Sequence, residues 1–165
     1  LPVRFTSSAM RARFNPKDGQ LYVAGLKGWQ TDAANATGFD RVRFNNKPVH
    51  SVEKLHVTKT GVELTFTTEL NKKDAEDVGN YSVKRWNYER AEHYGSPEFM
   101  VTDPQKKGRE NLEVKSAKLS ADGRTVALEL ADVRPVMQQM IKYFITAKDG
   151  TEIKQDIVQT INAVP

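Results

Sequence analysis

Apolar and polar residues alternate along most of this chain with the two-residue period of a half-buried strand. In Val62-Glu63-Leu64-Thr65-Phe66-Thr67 the apolar members share one face, as do Val126, Leu128 and Leu130, and again Ile141, Tyr143 and Ile145. Strand-like segments recur at residues 81–88, 112–119, 125–130, 141–147 and 153–161, with shorter ones at 11–14, 21–25, 41–44 and 55–57. The separators are Asn15-Pro16-Lys17-Asp18-Gly19, Lys59-Thr60-Gly61, Ser120-Ala121-Asp122-Gly123 and Lys148-Asp149-Gly150. Glycine supplies the positive φ that tight turns need, and Asp bonds back to its own backbone, so each reads as a hairpin turn. Helical potential is confined to residues 71–78, enough for one or two turns, and residues 133–140, which Pro135 reduces to a short turn.

This pattern predicts an all-β chain. Asn45-Asn46-Lys47-Pro48 reads as a linker or sharp turn, since Pro cannot donate to a ladder and Asn tolerates left-handed backbone. It separates a β-hairpin appendage, residues 1–46, from a two-sheet β-sandwich, residues 47–165, in which Phe66, Leu128 and Tyr143 are expected to face inward.

Composition narrows the function more than it identifies it. A chain of 165 residues, 38% hydrophobic, can bury one good core plus a small appendage. It has no cysteine, which excludes disulfides, a thiolate nucleophile and a cysteine zinc site. No apolar run approaches the roughly 20 residues of a membrane-spanning helix, and no membrane insertion is expected. Leu1-Pro2-Val3-Arg4 lacks the features of a signal peptide and reads as a cut end. The net charge is +4, but 25 basic and 21 acidic residues look interspersed, so no nucleic-acid partner is expected. The densest basic run, Lys106-Lys107-Gly108-Arg109, reads as a solvated loop, with an anion or polysaccharide contact as the alternative.

Candidate chemistry is sparse. His50, His56 and His93 lack metal-binding spacing, and a copper site with Met100, Met137 and Met140 would require ligands from distant segments. Asp32, Asp40, Glu92 and Asp103 are loop carboxylates, but a glycosidase pair needs a cleft that a small sandwich rarely forms alone. No Gly-x-Ser-x-Gly elbow is present. Neither a cofactor nor a metal is expected. The aromatics are a better lead: Trp86, Tyr88, Tyr94 and Phe99 lie among polar, Gly- and Pro-rich residues, where flat rings can stack on sugars or fill a protein interface. Trp86 itself fits better as the central core residue of a sandwich, which Ig folds often require. Trp29, between Gly28 and Gln30, is expected to be exposed or stacked on the other part of the chain. The spacing of Tyr81, Val83 and Trp86 fits a bulge, or a continuous strand buried on both faces.

Two resemblances add to this reading. Val62 through Leu70, then Asn80-Tyr81-Ser82-Val83, and the strand pair around Asp122-Gly123, resemble the bacterial Ig-like modules of S-layer and other secreted proteins. The likeness covers roughly residues 50–160, and the stretch from Arg85 to Asn111 is a long insertion relative to the minimal module. It implies an Ig-like, fibronectin-III-like sandwich in a secreted, periplasmic or cell-envelope protein. Phe14-Asn15-Pro16-Lys17-Asp18-Gly19-Gln20-Leu21-Tyr22-Val23 is similar to the last blade of propellers of the glucose/sorbosone dehydrogenase type. One repeat cannot form a propeller, so any catalytic or cofactor residues of such a parent would lie outside this chain. The expectation is a non-catalytic accessory module whose partner is a polysaccharide or a neighbouring domain, with Trp29, Trp86, Tyr88, Tyr94 and Phe99 as candidate ligand-binding residues. The alternatives are a ligand-free structural spacer and the C-terminal fragment of a sugar-oxidising propeller enzyme.

Overall fold

A computed structural model describes residues 4–28, 31–92 and 94–165. The chain divides into two compact units, Leu1–Pro48 and Val49–Pro165. In the first, β1 (Arg11–Phe14), β2 (Leu21–Leu26) and β3 (Thr37–Val42) form an antiparallel sheet in chain order. The β1–β2 turn forms as its residues dictate. Gly19 takes φ +66° and donates its N–H to the Asn15 carbonyl at 2.8 Å, while the Asn15 and Asp18 side chains accept from Lys17 and Gln20, each at 3.0 Å. β3 lies earlier than the expected 41–44. Gly38 allows this, because a Cβ there would lie 2.8 Å from the Ser7 backbone nitrogen, and Ser7 crosses that face of the sheet. The Asn45 to Pro48 segment turns through Asn46 at φ +58°.

The second unit is a two-layer sandwich. One sheet has the order β4 (Val52–Val57), β5 (Gly61–Phe66), β10 (Thr125–Leu130), β9 (Val114–Leu119). The other has the order β12 (Glu152–Ile161), β11 (Val136–Thr146), β6 (Tyr81–Tyr88), β7 (Glu98–Phe99), and β8 (Glu110–Leu112) also pairs with β6. A single helical turn, α1 (Lys72–Ala75), is capped by the Asn71 side chain and lies between the layers in the chain. The inner faces meet in a core containing Val62, Leu64, Phe66, Leu128, Ile141 and Tyr143, and the Phe66 and Tyr143 rings pack edge to face at 5.5 Å. Burial raises the Tyr143 hydroxyl to about 12.

Three local expectations need correction. Gly61 is not a positive-φ turn residue; it begins β5, where a Cβ would lie 1.7 Å from the Leu128 carbonyl oxygen, so glycine is required for strand approach. The apolar stretch at 112–119 is two strands in different sheets, switching at Glu113, whose carbonyl accepts the Ala131 N–H at 3.0 Å. Residues 136–140 are strand, because Pro135 sits immediately before β11, where it removes no ladder bond.

Candidate functional site

The insertion between β6 and β8 is held from both sides of β6. Side chains alternate along this strand, so Tyr81, Val83 and Arg85 face the other sheet, while Ser82, Lys84 and Trp86 face outward. The β6–β11 register is unbroken from Tyr81 opposite Tyr143 to Trp86 opposite Gln138. No bulge lies between Val83 and Trp86; the irregularity falls instead between β11 and β12, from Val136 to Gln139.

The inward position at the end of the core strand is therefore a cation. Arg85 is 3% exposed, and its Nε meets Glu110 Oε1 at 2.5 Å. Its Nη2 meets Asp132 Oδ2 at 2.8 Å, and the same carboxylate oxygen takes Arg134 Nε at 2.7 Å. The second oxygen of Glu110 accepts the Val101 N–H at 3.1 Å, the Thr102 N–H at 3.0 Å and the Thr102 hydroxyl at 2.7 Å. One carboxylate thus ties β6, β8 and the returning limb of the insertion together. Burial alone would raise the Glu110 carboxyl, but the Thr102 N–H and hydroxyl and the Arg85 guanidinium outweigh it and hold the group below its ordinary range. Asp132 has the same balance of burial against Arg85 and Arg134.

On the outward side the insertion closes over Trp86. Glu98 of β7 takes Arg109 in a two-point ion pair, Nε to Oε2 at 2.7 Å and Nη2 to Oε1 at 2.6 Å. The held guanidinium lies 3.8 Å from the centre of the Trp86 ring, and its Nη1 approaches Met140 Sδ at 3.9 Å. The bond from Arg109 holds the Glu98 carboxyl below the ordinary carboxylate range. Arg109 is thus a bound cation of this latch, whereas Lys106 and Lys107 are exposed.

The candidate aromatics therefore separate. Trp86 is buried but lies outside the main core cluster, beneath Arg109. Tyr88, opposite Glu98, is exposed, and Phe99, opposite Asn87, is half-buried. Tyr94 is fully exposed, beside Gly95 at φ +85°. Trp29 and His93 lie outside the described residues. Of the copper candidates, His50 Nε2 meets Asp149 Oδ2 at 3.0 Å, Met140 lies against Arg109, and Met137 Sδ accepts the Tyr88 N–H. Among the described residues, no group of three His, Cys, Asp or Glu is arranged to hold a metal. Asp40 accepts from the Thr6 N–H and hydroxyl, and Asp103 accepts from the Gln105 N–H.

Sequence reasoning did not find the two pairs that build this site, Arg85–Glu110 and Glu98–Arg109. The only signal was parity: if Tyr81 and Val83 face inward, so does Arg85, and a buried Arg needs a carboxylate.

No protein-family model matches the chain, and no curated protein sequence matches it. Two solved structures are similar, one of domains 1–6 of the surface layer protein SbsC and one a crystal structure of the S-layer protein rSbsC(31–844). Each has a TM-score of 0.48 and 20% sequence identity, with 70% of this chain covered. The chain spans 14% of the length of either structure.

Proposed function

We propose that the chain is a non-catalytic, Ig-like accessory module of a secreted or cell-envelope bacterial protein, and that residues 89–109 bind a polysaccharide or a neighbouring domain. The observation that carries this reading is the full exposure of Tyr94 on an insertion whose ends are fixed by ion pairs to a packed sandwich. An exposed ring on an anchored loop contributes contact area at little cost in ordering. Tyr88 supplies a second exposed ring and Phe99 a supporting one, while Trp86 acts from beneath by positioning Arg109. The shifted carboxylates of this region all have structural partners, which supports a role without catalysis.

A ligand-free structural spacer is the second reading, favoured by the burial of Trp86 under its own loop. The test is affinity electrophoresis of the full chain in gels cast with a panel of neutral plant and algal polysaccharides. Retardation by at least one is expected, with Tyr94→Ala weakening it by about 1–3 kcal/mol while the fold is kept. Retardation by none would favour the spacer.

A further inference from the structure

The chain's positive charge is concentrated in its first unit. Leu1–Pro48 holds eight basic and three acidic residues, a net +5, whereas Val49–Pro165 holds 17 and 18, a net −1. Counted by unit, the charges are segregated, contrary to the expectation from the whole chain.

The register gathers part of this excess on one sheet face. Arg13, Tyr22 and Arg41 form one cross-strand row, and Arg11, Ala24 and Phe39 form the next on the same face. The opposite face is crossed by Ser7 and Ser8, so closely that a Cβ on Gly25 would lie 1.4 Å from the Ser8 carbonyl oxygen. On the open face Arg11, Arg13, Phe39 and Arg41 are all exposed. The Tyr22 and Phe39 rings stack with centroids 5.7 Å apart, and a shallow cleft of about 340 Å³ runs from them to Arg13, Phe14 and Asn15. Among the described residues, the ion pairs formed include none of Arg11, Arg13 and Arg41. Among the described residues, the Arg11 and Arg13 side chains donate to the neighbouring carbonyls of Met10 and Ala12.

We propose that this face binds an acidic polysaccharide, with Arg13 and Arg41 holding its anionic groups and the Tyr22–Phe39 pair receiving a sugar face. The two arginines stand two strand spacings apart, about 10 Å, a separation suited to anionic groups on alternate residues of an extended glycan. The Asp18 carboxylate stands at the rim and fixes Tyr22 by accepting its hydroxyl at 2.8 Å. A carboxylate accepts hydroxyls, and an internal sugar of a hexuronan offers more free hydroxyls than an internal nucleotide, which favours a glycan over a single-stranded nucleic acid.

The test is affinity electrophoresis of the full chain at low salt in polygalacturonate gels, with polyuridylate gels alongside. Polygalacturonate should retard the parent, and the double variant Arg13→Gln/Arg41→Gln should bind about tenfold more weakly. A control isolates the site: Lys115→Gln/Lys118→Gln removes the same charge from the second unit and should be retarded like the parent. All the substituted side chains are exposed, and circular dichroism checks the fold. No retardation by polygalacturonate, an equal loss in the lysine variant, or stronger retardation by polyuridylate would overturn the proposal.

Discussion

Arg85 and Glu110 meet at 2.5 Å on the inner side of the β6 sheet, and the remaining oxygen of Glu110 gathers three donors from Val101 and Thr102. This is an ion pair with its lone pairs satisfied, the arrangement in which a buried pair offsets its desolvation cost. Removing one partner leaves the other charged and buried. Arg85 keeps Asp132, but the Val101 and Thr102 donors lose their acceptor, so Glu110→Ala should destabilise the second unit by about 1–3 kcal/mol, read as a shift in urea midpoint. Arg85→Met with Glu110→Leu should recover much of that loss in stability, but not the bonds to Thr102.

Acid should release the same anchor. Glu110 titrates below its ordinary range when folded, so the folded chain binds fewer protons than the unfolded one as pH falls. Its contribution is complete above the unfolded value of about 4.3 and is lost as pH falls through the folded value. Urea unfolding of the parent at pH 5.5 and pH 3.5 should show a larger drop in stability than that of Glu110→Gln, whose side chain has no proton to gain. Equal drops would assign the acid sensitivity to other carboxylates.

The latch over Trp86 predicts a spectroscopic result. In a Trp29→Phe background, Trp86 is the only indole, and Arg109 covers its ring. Arg109→Ala should raise acrylamide quenching of its fluorescence, and Glu98→Gln should do so to a smaller extent, because the guanidinium is then no longer held at two points.

Gly61 tests the sandwich itself. A methyl group at this position would overlap the Leu128 carbonyl, so Gly61→Ala must push β5 from β10 and should cost about 1–3 kcal/mol. Gly19→Ala, at φ +66° with open space around it, should cost only its backbone strain, about 1 kcal/mol.

The fold was legible in the sequence where one face of a strand is buried. Period-two runs located β5, β10 and β11, and Phe66, Leu128 and Tyr143 point into the core as their parity requires. Parity also held for Arg85, but its charge hid the fact that the position is interior. The segment between β6 and β8 is organised by Glu98–Arg109 and Arg85–Glu110, pairs 11 and 25 residues apart whose meeting depends on strand pairing rather than local spacing. Trp86 could be assigned to core or surface by composition; it is buried, outside the main cluster, where a cation from its own loop covers it. The basic face of the first unit was masked by averaging charge over the whole chain.

The central claim, that residues 89–109 are an anchored recognition surface, is tested most directly by amide chemical-shift mapping. The labelled full chain would be titrated with neutral oligosaccharides cut from the panel polysaccharides. The account predicts shifts concentrated in residues 88–109 and a weaker affinity in Tyr94→Ala, with the amides of the core strands unmoved. Shifts centred elsewhere on the second unit, or none with any oligosaccharide, would contradict it.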